Sequence, residues 1–331
     1  RYLSKISDIR NIFSEHGLIK TRFIIEINWL LFLCEKYPRY FTKINSATIK
    51  KIIKFRDSFN DQSVLEIKKI EKTTNHDVKA VEYYIRNFFN KDKGLSKYNH
   101  LIHFGLTSED INSLAYAILL KDGLKIYLNN IKLLNANLKK LSKKWINIPL
   151  LSRTHGQAAS PSTIGKELKV FTTRIDREIK KISDITPLAK FSGAVGNYHA
   201  LDLAVSNIDW IKLTKRFIKN FNVEQNRITT QIEPHDWIAE MLQIITRINN
   251  ISIDLSQDLW IYISNEIFKL KLNMNEIGSS TMPHKVNPID FENAEGNFGL
   301  SNALNDFFIN KLTKSRLQRD LSDSTVLRNI G

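Results

Sequence analysis

The sequence contains one cysteine among its 331 residues, Cys34, which lies within the apolar run WLLFLCEKY. A single cysteine excludes a fold held together by intrachain disulfide bonds, and its apolar neighbours indicate a buried thiol. Proline and glycine are also scarce, at 7 and 12 residues. Because these two residues interrupt helices most strongly, their scarcity favours long uninterrupted helices.

The sequence also lacks the roughly 18 consecutive apolar residues that a membrane-spanning helix needs, and it shows no signal peptide. It begins at Arg1 rather than at methionine. We therefore expect no membrane partner, a cytoplasmic location, and an upstream segment that is absent from this chain.

The formal net charge of +15 raises the possibility of nucleic-acid binding. The lysines are spread along the whole chain, however, and no compact basic run alternates with aromatic residues as single-strand binding requires. We therefore expect a solvated, lysine-rich surface and no nucleic-acid partner. Its positive potential would still attract a small polyanionic substrate.

Apolar residues recur every three or four positions over most of the chain, which is typical of amphipathic helices. The predicted helices cover residues 8–35, 46–58, 77–90 and 108–145, a stretch that starts after Pro161, residues 234–268, and a stretch from Pro288 past Leu312. A straight helix over 108–145 would be about 55 Å long, which is unusual in a globular domain. Ser162 is the expected cap of the helix that follows Pro161.

Strand-like alternation is scarce, so the pattern predicts an all-α fold, an elongated long-helix bundle with a smaller N-terminal helical domain. The turn-rich segment 91–100 is expected to separate an N-terminal helical domain, residues 1–98, from an incomplete bundle domain, residues 99–331. Apolar faces of this length usually pair with another subunit.

Histidines, hydroxyls, amides and arginines concentrate in the connectors between these helices, where chemistry tends to sit. The connectors are TTNHD (73–77), TSEDIN (107–112), SRTHGQ (152–157), SGAVGNYHA (192–200), TTQIEPHD (229–236), GSSTMPHKVNPIDFE (278–292) and SRLQRDLSDSTVLR (315–328). Taken singly, His155 is better interpreted as a structural histidine and Ser279 as a turn or cap residue. Only the occurrence of all these connectors in this order favours a catalytic function for the two residues.

The segment GSSTMPHKVNPIDFE resembles the signature of the fumarase/aspartase/argininosuccinate lyase superfamily, GSSxMPxKxNP followed shortly by Glu. TSEDIN, SRTHGQ and the 192–200 loop resemble the other characteristic regions of that superfamily, in the same order. The MPHK sequence, TTNHDVKAVE, TTQIEPHD and SRLQRDLSDSTVLRN are most similar to members that act on succinylated purine nucleotides. The resemblance extends from Arg1 to Gly331 and implies a helical-bundle lyase.

The reaction implied by this resemblance is elimination of fumarate from a succinyl group attached to nitrogen, giving AMP or the carboxamide ribotide of the purine pathway. Such a reaction needs a base, an acid and positive groups around the developing charge. The resemblance assigns Ser279 as the base, acting as an alkoxide stabilised by loop N–H groups and Lys285. It assigns His155 as the general acid with Glu292 orienting its ring. His76 would contact the substrate near the leaving nitrogen.

The resemblance also implies a set of substrate-binding residues. These are Arg1, Tyr2, Asn75, Asp77, Thr107, Ser108, Gln231, Asn287, Arg319, Ser324 and Arg328. Arginines suit a phosphate because their guanidinium binds it with two hydrogen bonds. Thr107 and Ser108 would bind an anion at the start of the long helix, where Glu109 and Asp110 are expected to favour the helix dipole.

No cofactor is expected, and no metal, because His284 has no partner at ligand spacing. Histidines 199 and 235 are interpreted as structural or peripheral. Superfamily chains begin before the position of Arg1 and continue beyond Gly331, so the resemblance implies a chain truncated at both ends that lacks a C-terminal helical domain. It further implies a homotetramer in which each site takes loops from three subunits.

Two alternatives remain open. The first is another fumarate-releasing enzyme of the superfamily, similar to argininosuccinate lyase, although Arg319, Ser324 and Arg328 favour a substrate that carries phosphate. The second is a non-catalytic basic helical scaffold or nucleic-acid binder that uses the +15 charge.

Overall fold

The computed structural model describes residues 4–271, 282 and 286–331. Helices dominate these residues, which confirms the predicted all-α fold. Predictions for Arg1, Tyr2, Ser279, His284 and Lys285 lie outside the described residues. Among the described helices, none combines the length and apolarity needed to cross a lipid bilayer.

The described residues contain thirteen α-helices and four short strands. The helices are α1 (Ser7–Arg10), α2 (Glu15–Lys36), α3 (Ser46–Asp57), α4 (Asp61–Thr74), α5 (Asp77–Asn90), α6 (Lys93–Ser96), α7 (Ser108–Lys144), α8 (Ile164–Ser183), α9 (His199–Ala204), α10 (Trp210–Lys219), α11 (Asp236–Ser264), α12 (Ile289–Leu312) and α13 (Ser322–Leu327). The strands are β1 (Pro149–Thr154), β2 (Gln157–Thr163), β3 (Leu188–Ala189) and β4 (Glu224–Gln225).

The long helix predicted over 108–145 is confirmed as α7, which has 37 residues. The helix predicted over 8–35 is interrupted at 11–14, because Ser14 adopts an extended conformation and caps α2 by accepting a hydrogen bond from the Gly17 N–H. The cap predicted at Ser162 is wrong. Thr163 caps α8 instead, since its hydroxyl accepts from the Lys166 N–H. Helix α12 ends at Leu312 rather than beyond it.

The chain forms two compact units that are interleaved in sequence. The first unit contains Arg1–Tyr127, Thr186–Trp237 and Leu312–Gly331, and the second contains Leu128–Ile185 and Ile238–Lys311. The turn-rich segment 91–100 forms α6 and a short 3₁₀-helix inside the first unit. The domain limits expected at 1–98 and 99–331 stay a prediction.

An aromatic cluster forms part of the core of the first unit. Trp29 of α2 packs edge-on against Phe191 and Phe217, with ring centroids 5.0 and 4.9 Å apart. Its indole N–H donates to the carbonyl of Phe104 at 3.1 Å. Cys34, on the same helix, is buried as the sequence predicted, and burial raises the pKa of its thiol to about 12.

Helix α11 joins α8 and α12 in the second unit through polar side chains. Arg247 pairs with Glu178 at 2.9 Å, and the Asn249 amide donates to Ser301 and Asn302 at 3.2 and 3.0 Å. Strands β1 and β2 form an antiparallel hairpin between α7 and α8 in sequence. The sequence did not predict this hairpin, because residues 149–163 carry no apolar alternation and include Pro161.

Candidate active site

Two of the sequence motifs meet at the start of α7 in the first unit. His76 caps α5, and its Nδ1 atom accepts a hydrogen bond from the Lys79 N–H at 3.2 Å. The proton of the neutral ring therefore lies on Nε2, which is 3.5 Å from the hydroxyl of Ser108. His76 is half exposed, with 49% of its side chain accessible. This arrangement leaves an N–H donor and a hydroxyl side by side at the protein surface.

The turn between α4 and α5 directs His76 and Asp77 towards this place. Asn75 ends α4 with φ of 50°, in the left-handed region. Asparagine adopts this conformation more readily than most residues because its short side chain can bond locally. The reversal allows α5 to begin with only two residues between it and the end of α4.

Asp77 lies between two arginines. Its Oδ2 atom is 2.9 Å from Arg22 Nη2 and 2.6 Å from Arg328 Nη2, while Oδ1 accepts from the Val78 N–H at 2.8 Å. Burial would raise the pKa of the Asp77 carboxyl, but the Arg22 guanidinium, that hydrogen bond and Arg328 hold it below its ordinary value. Arg328 also lies 3.3 Å from Glu15 Oε1.

A second arginine of the C-terminal segment is held by α7 and by the 229–236 connector. Arg319 Nη2 pairs with Glu109 Oε2 at 3.0 Å, and Arg319 Nη1 donates to Gln231 Oε1 at 3.3 Å. The Gln231 amide in turn donates to the carbonyl of Ala194 at 2.8 Å. Burial raises the pKa of Glu109, although Arg319 opposes that shift. Arg319, Gln231 and the 192–200 loop therefore form one connected group.

The carboxylate of Asp110, the next residue of α7, holds the 192–200 loop through hydrogen bonds and an ion pair. Asp110 Oδ1 lies 2.7 Å from Lys190 Nζ, and both side chains are fully buried. The same carboxylate accepts from the N–H groups of Ser192, Gly193 and Thr107 at 2.8, 3.2 and 2.8 Å. Glu109 and Asp110 were expected to favour the helix dipole; the structure gives them buried ion pairs as well.

His235 forms a third buried charged group in this unit. Its Nδ1 is 3.5 Å from Glu233 Oε2 and its Nε2 is 3.7 Å from Asp323 Oδ2. Burial would lower the pKa of His235, but these carboxylates, Asp323 first, raise it to about 9. Asp323 accepts from the Ser324 N–H at 2.8 Å, so the cluster adjoins a predicted binding residue. His235 is therefore buried between two carboxylates, which agrees with its interpretation as a structural residue.

The second unit carries the predicted acid at the tip of its hairpin. Thr154 pairs with Gln157, so His155 and Gly156 alone make the turn. Both have positive φ, 54° and 75°, which is the signature of a type I′ turn. His155 is exposed, and its side chain forms no hydrogen bond or ion pair with the part of the chain that the structure describes.

Glu292 and Asn287 also belong to the second unit. Glu292 lies in the first turn of α12, and its Oε1 accepts a hydrogen bond from the Trp260 indole N–H at 3.1 Å. Asn287 precedes the same helix. The structure thus brings together His76, Asp77, Ser108 and Arg328 as one group and Arg319 with Gln231 as another, while His155 and Glu292 belong to a different unit.

Sequence reasoning missed Arg22, Lys190, Glu233 and Asp323 as partners of the predicted residues. For Lys190 the available signal was a charged side chain between the apolar Ala189 and Phe191, and for Glu233 and Asp323 it was their place in the 229–236 and 315–328 connectors. Within the described ranges, no group of three or more His, Cys, Asp or Glu side chains is placed to hold a metal ion.

Comparison with known proteins gives one consistent family. A family model described as Lyase matches residues 1–299. Adenylosuccinate lyase from Legionella pneumophila (strain Corby) is 48% identical over 334 residues, covering 100% of this chain and 73% of that protein. Adenylosuccinate lyase from Escherichia coli (strain K12) is 46% identical over 336 residues, again covering 100% of this chain and 73% of that protein.

Solved structures show the same fold at lower identity. A fumarate lyase from Mesorhizobium sp. BNC1 has a TM-score of 0.79 at 17% identity, covering 98% of this chain and 70% of that one. A 3-carboxy-cis,cis-muconate lactonizing enzyme from Pseudomonas putida has a TM-score of 0.76 at 19% identity, covering 97% and 70%. The superfamily resemblance is confirmed, and the chain belongs to the Lyase family, among relatives that are adenylosuccinate lyases.

Proposed function

We propose that this chain is a carbon–nitrogen lyase that eliminates fumarate from adenylosuccinate, giving AMP, and from the succinyl-carboxamide ribotide SAICAR, giving AICAR. The observation that carries the proposal is near-half identity over the whole chain to adenylosuccinate lyases. The motifs that resemble the superfamily occur in the same order along that length.

The elimination removes a proton from the carbon next to a carboxylate and protonates the departing nitrogen. Ser279 is the proposed base, with loop N–H groups and Lys285 stabilising its alkoxide. His155 is the proposed acid, since imidazole can hold and release a proton near neutral pH. Glu292 is proposed to orient that ring. An acid, a base and fixed cations suffice for this chemistry, so we propose no cofactor.

Residues of the first unit are proposed to bind the substrate. Arg319 and Arg328 would take its phosphate, together with Ser324, Arg1 and Tyr2. The Nε2–H of His76 would donate to the substrate near the leaving nitrogen, next to Ser108. Gln231, Asn75, Asp77 and Thr107 complete the proposed set of this unit, and Asn287 of the second unit is proposed to bind the substrate as well. Support comes from the carboxylates that hold both arginines in place before any ligand arrives.

Assembly of four chains is proposed to complete each site. Helix α12 exposes Leu300, Leu304 and Phe307 to 64%, 49% and 53%, at spacings that put them on one helix face. A second copy of the chain would bury this face. We propose a homotetramer with sites shared between chains, acting in the cytoplasm without a membrane or nucleic-acid partner.

Fumarate release from adenylosuccinate, compared with argininosuccinate, tests the proposed activity. We expect turnover of adenylosuccinate only, and a loss of about 10²–10⁴ in kcat for Ser279→Ala, because a positioned acid or base contributes that much. The adjacent Ser280→Ala is the matched control and should keep normal turnover. Fumarate from argininosuccinate alone, or normal turnover by Ser279→Ala, would contradict the proposal.

A further inference from the structure

Arg22 is a fully buried cation that the proposed function does not use. Only 1% of its side chain is accessible, and it lies on α2, far in sequence from its ion-pair partner Asp77. Its Nε and Nη1 atoms find no hydrogen-bond acceptor among the described residues, and Nη2 lies at ion-pair distance from Asp77 without the geometry of a hydrogen bond. Since burying an arginine without full pairing is costly, stability alone does not account for an arginine at this position.

The ion-pair partner of Arg22 is Asp77, at 2.9 Å. The same Asp77 oxygen, Oδ2, lies 2.6 Å from Arg328. One carboxylate oxygen is therefore shared between a buried arginine and an arginine that is 32% accessible. Because two arginines face the single charge of Asp77, the positive potential of Arg22 offsets part of the negative potential that Asp77 exerts on Arg328.

The charges around Arg328 balance only when Arg22 is counted. Lys68 pairs with Glu15 at 3.3 Å and with Glu71 at 2.7 Å, and Glu15 pairs with Arg328. The cluster then holds three cations and three carboxylates. The cations are Arg22, Lys68 and Arg328, and the carboxylates are Glu15, Glu71 and Asp77. Without Arg22 the cluster would carry a net negative charge beside Arg328.

We propose that Arg22 is a positioning residue: by sharing Asp77 it holds the Arg328 guanidinium in place while leaving it able to bind the phosphate of the substrate. This inference rests on the proposed function, which assigns Arg328 to the phosphate. Arg22 itself touches no substrate. It acts through Asp77, and its effect is restricted to ligands that carry the phosphate.

Binding of AMP and adenosine, measured by titration calorimetry, tests this role without requiring turnover. The two ligands differ only in the phosphate, so the ratio of their dissociation constants measures phosphate recognition. We expect Arg22→Met to lower the ratio of the adenosine to the AMP dissociation constant about tenfold, because AMP binds more weakly while adenosine binding is unchanged. Arg22→Lys keeps the charge and should recover most of the preference. Should Arg22→Met fail to fold, Arg22→Gln, which keeps an amide donor, provides the same comparison.

Arg86→Met is the matched control. Arg86 pairs with Glu82 at 2.8 Å in the same unit, so its loss should lower stability without changing the AMP-to-adenosine ratio. An unchanged ratio in the uncharged Arg22 variants would overturn the inference, as would equal weakening of both ligands. A parent protein that binds AMP no better than adenosine would also overturn it. Absence of fumarate release with an intact AMP preference would instead contradict the proposed activity alone.

Discussion

The two units differ in how they hold the predicted site residues. In the first, carboxylates hold Arg319 and Arg328, and the Asp110–Lys190 pair beneath the 192–200 loop is fully buried. In the second, His155 projects from an exposed two-residue turn with no bonded partner among the described residues. The difference indicates that the first unit fixes its proposed binding groups during folding. The hairpin instead leaves His155 exposed, at a site that we propose another chain completes.

The largest expected effect separates activity from stability at the hairpin. His155→Ala should lower kcat by about 10²–10⁴, since it removes the proposed acid. Its unfolding midpoint in urea should match the parent, because the exposed side chain contributes no packing. Ser160→Ala on the same hairpin is the control and should change neither quantity. Normal turnover by His155→Ala would remove this histidine from its proposed role.

Breaking the buried pair of the first unit should instead reduce stability. Lys190→Met leaves Asp110 charged and without its cation, which costs about 3–5 kcal/mol in the free energy of unfolding. The control is Lys212→Ala, whose exposed pair with Asp209 should contribute far less to the free energy of unfolding. Urea denaturation measures both. Equal losses in the two variants would contradict the contrast between buried and exposed pairs.

The buried His235 should make stability depend on pH. Its pKa in the folded protein, about 9, lies above the ordinary value of 6.5. The contribution of His235 to the free energy of unfolding is therefore fully present below about pH 6.5. As the pH rises towards 9 it is lost, by up to about 3 kcal/mol. His103, whose pKa is also raised, acts in the same direction. The difference in the free energy of unfolding between the parent and His235→Gln, measured across this pH range, isolates the contribution of His235. Parallel pH profiles of the two proteins would show that His235 makes no such contribution.

The smallest effect concerns the turn itself. Gly156 has φ of 75°, and no atom lies within 4 Å of the position that a Cβ would occupy there, so Gly156→Ala meets strain but no clash. We expect a loss of about 1 kcal/mol in the free energy of unfolding. Gly296→Ala on α12 also meets nothing within 4 Å in the single chain, and as a helix substitution it should stabilise the dissociated chain by up to about 1 kcal/mol. Thermal unfolding distinguishes the two signs.

Much of the fold could be predicted because apolar spacing determines which helices bury a face. Helix α7 was predicted within one residue at its C-terminus, since its apolar rhythm is unbroken. The β1–β2 hairpin could not be predicted in that way, because its two strands are almost entirely exposed. The pair His155–Gly156 was the available signal, since histidine and glycine both tolerate positive φ.

The predicted site residues were found through motif resemblance, but their partners were not. Nothing in the sequence pairs Arg22 with Asp77, 55 positions later, or Lys190 with Asp110. Such partnerships arise only when helices pack, because a charged residue on an apolar helix face has the same local pattern whichever carboxylate it meets. Arg22 is the clearest case, because it is a buried cation on a helix whose other buried residues are mostly apolar.

Mixing His155→Ala protein with Ser279→Ala protein tests most directly whether each site is completed by more than one chain. Each variant alone should release almost no fumarate from adenylosuccinate. After the two are dissociated and reassembled together, we predict activity on the order of a hundredfold above either variant, because some sites receive both intact residues. Activity that stays at the level of the single variants, in assemblies shown to contain both chains, would contradict the account.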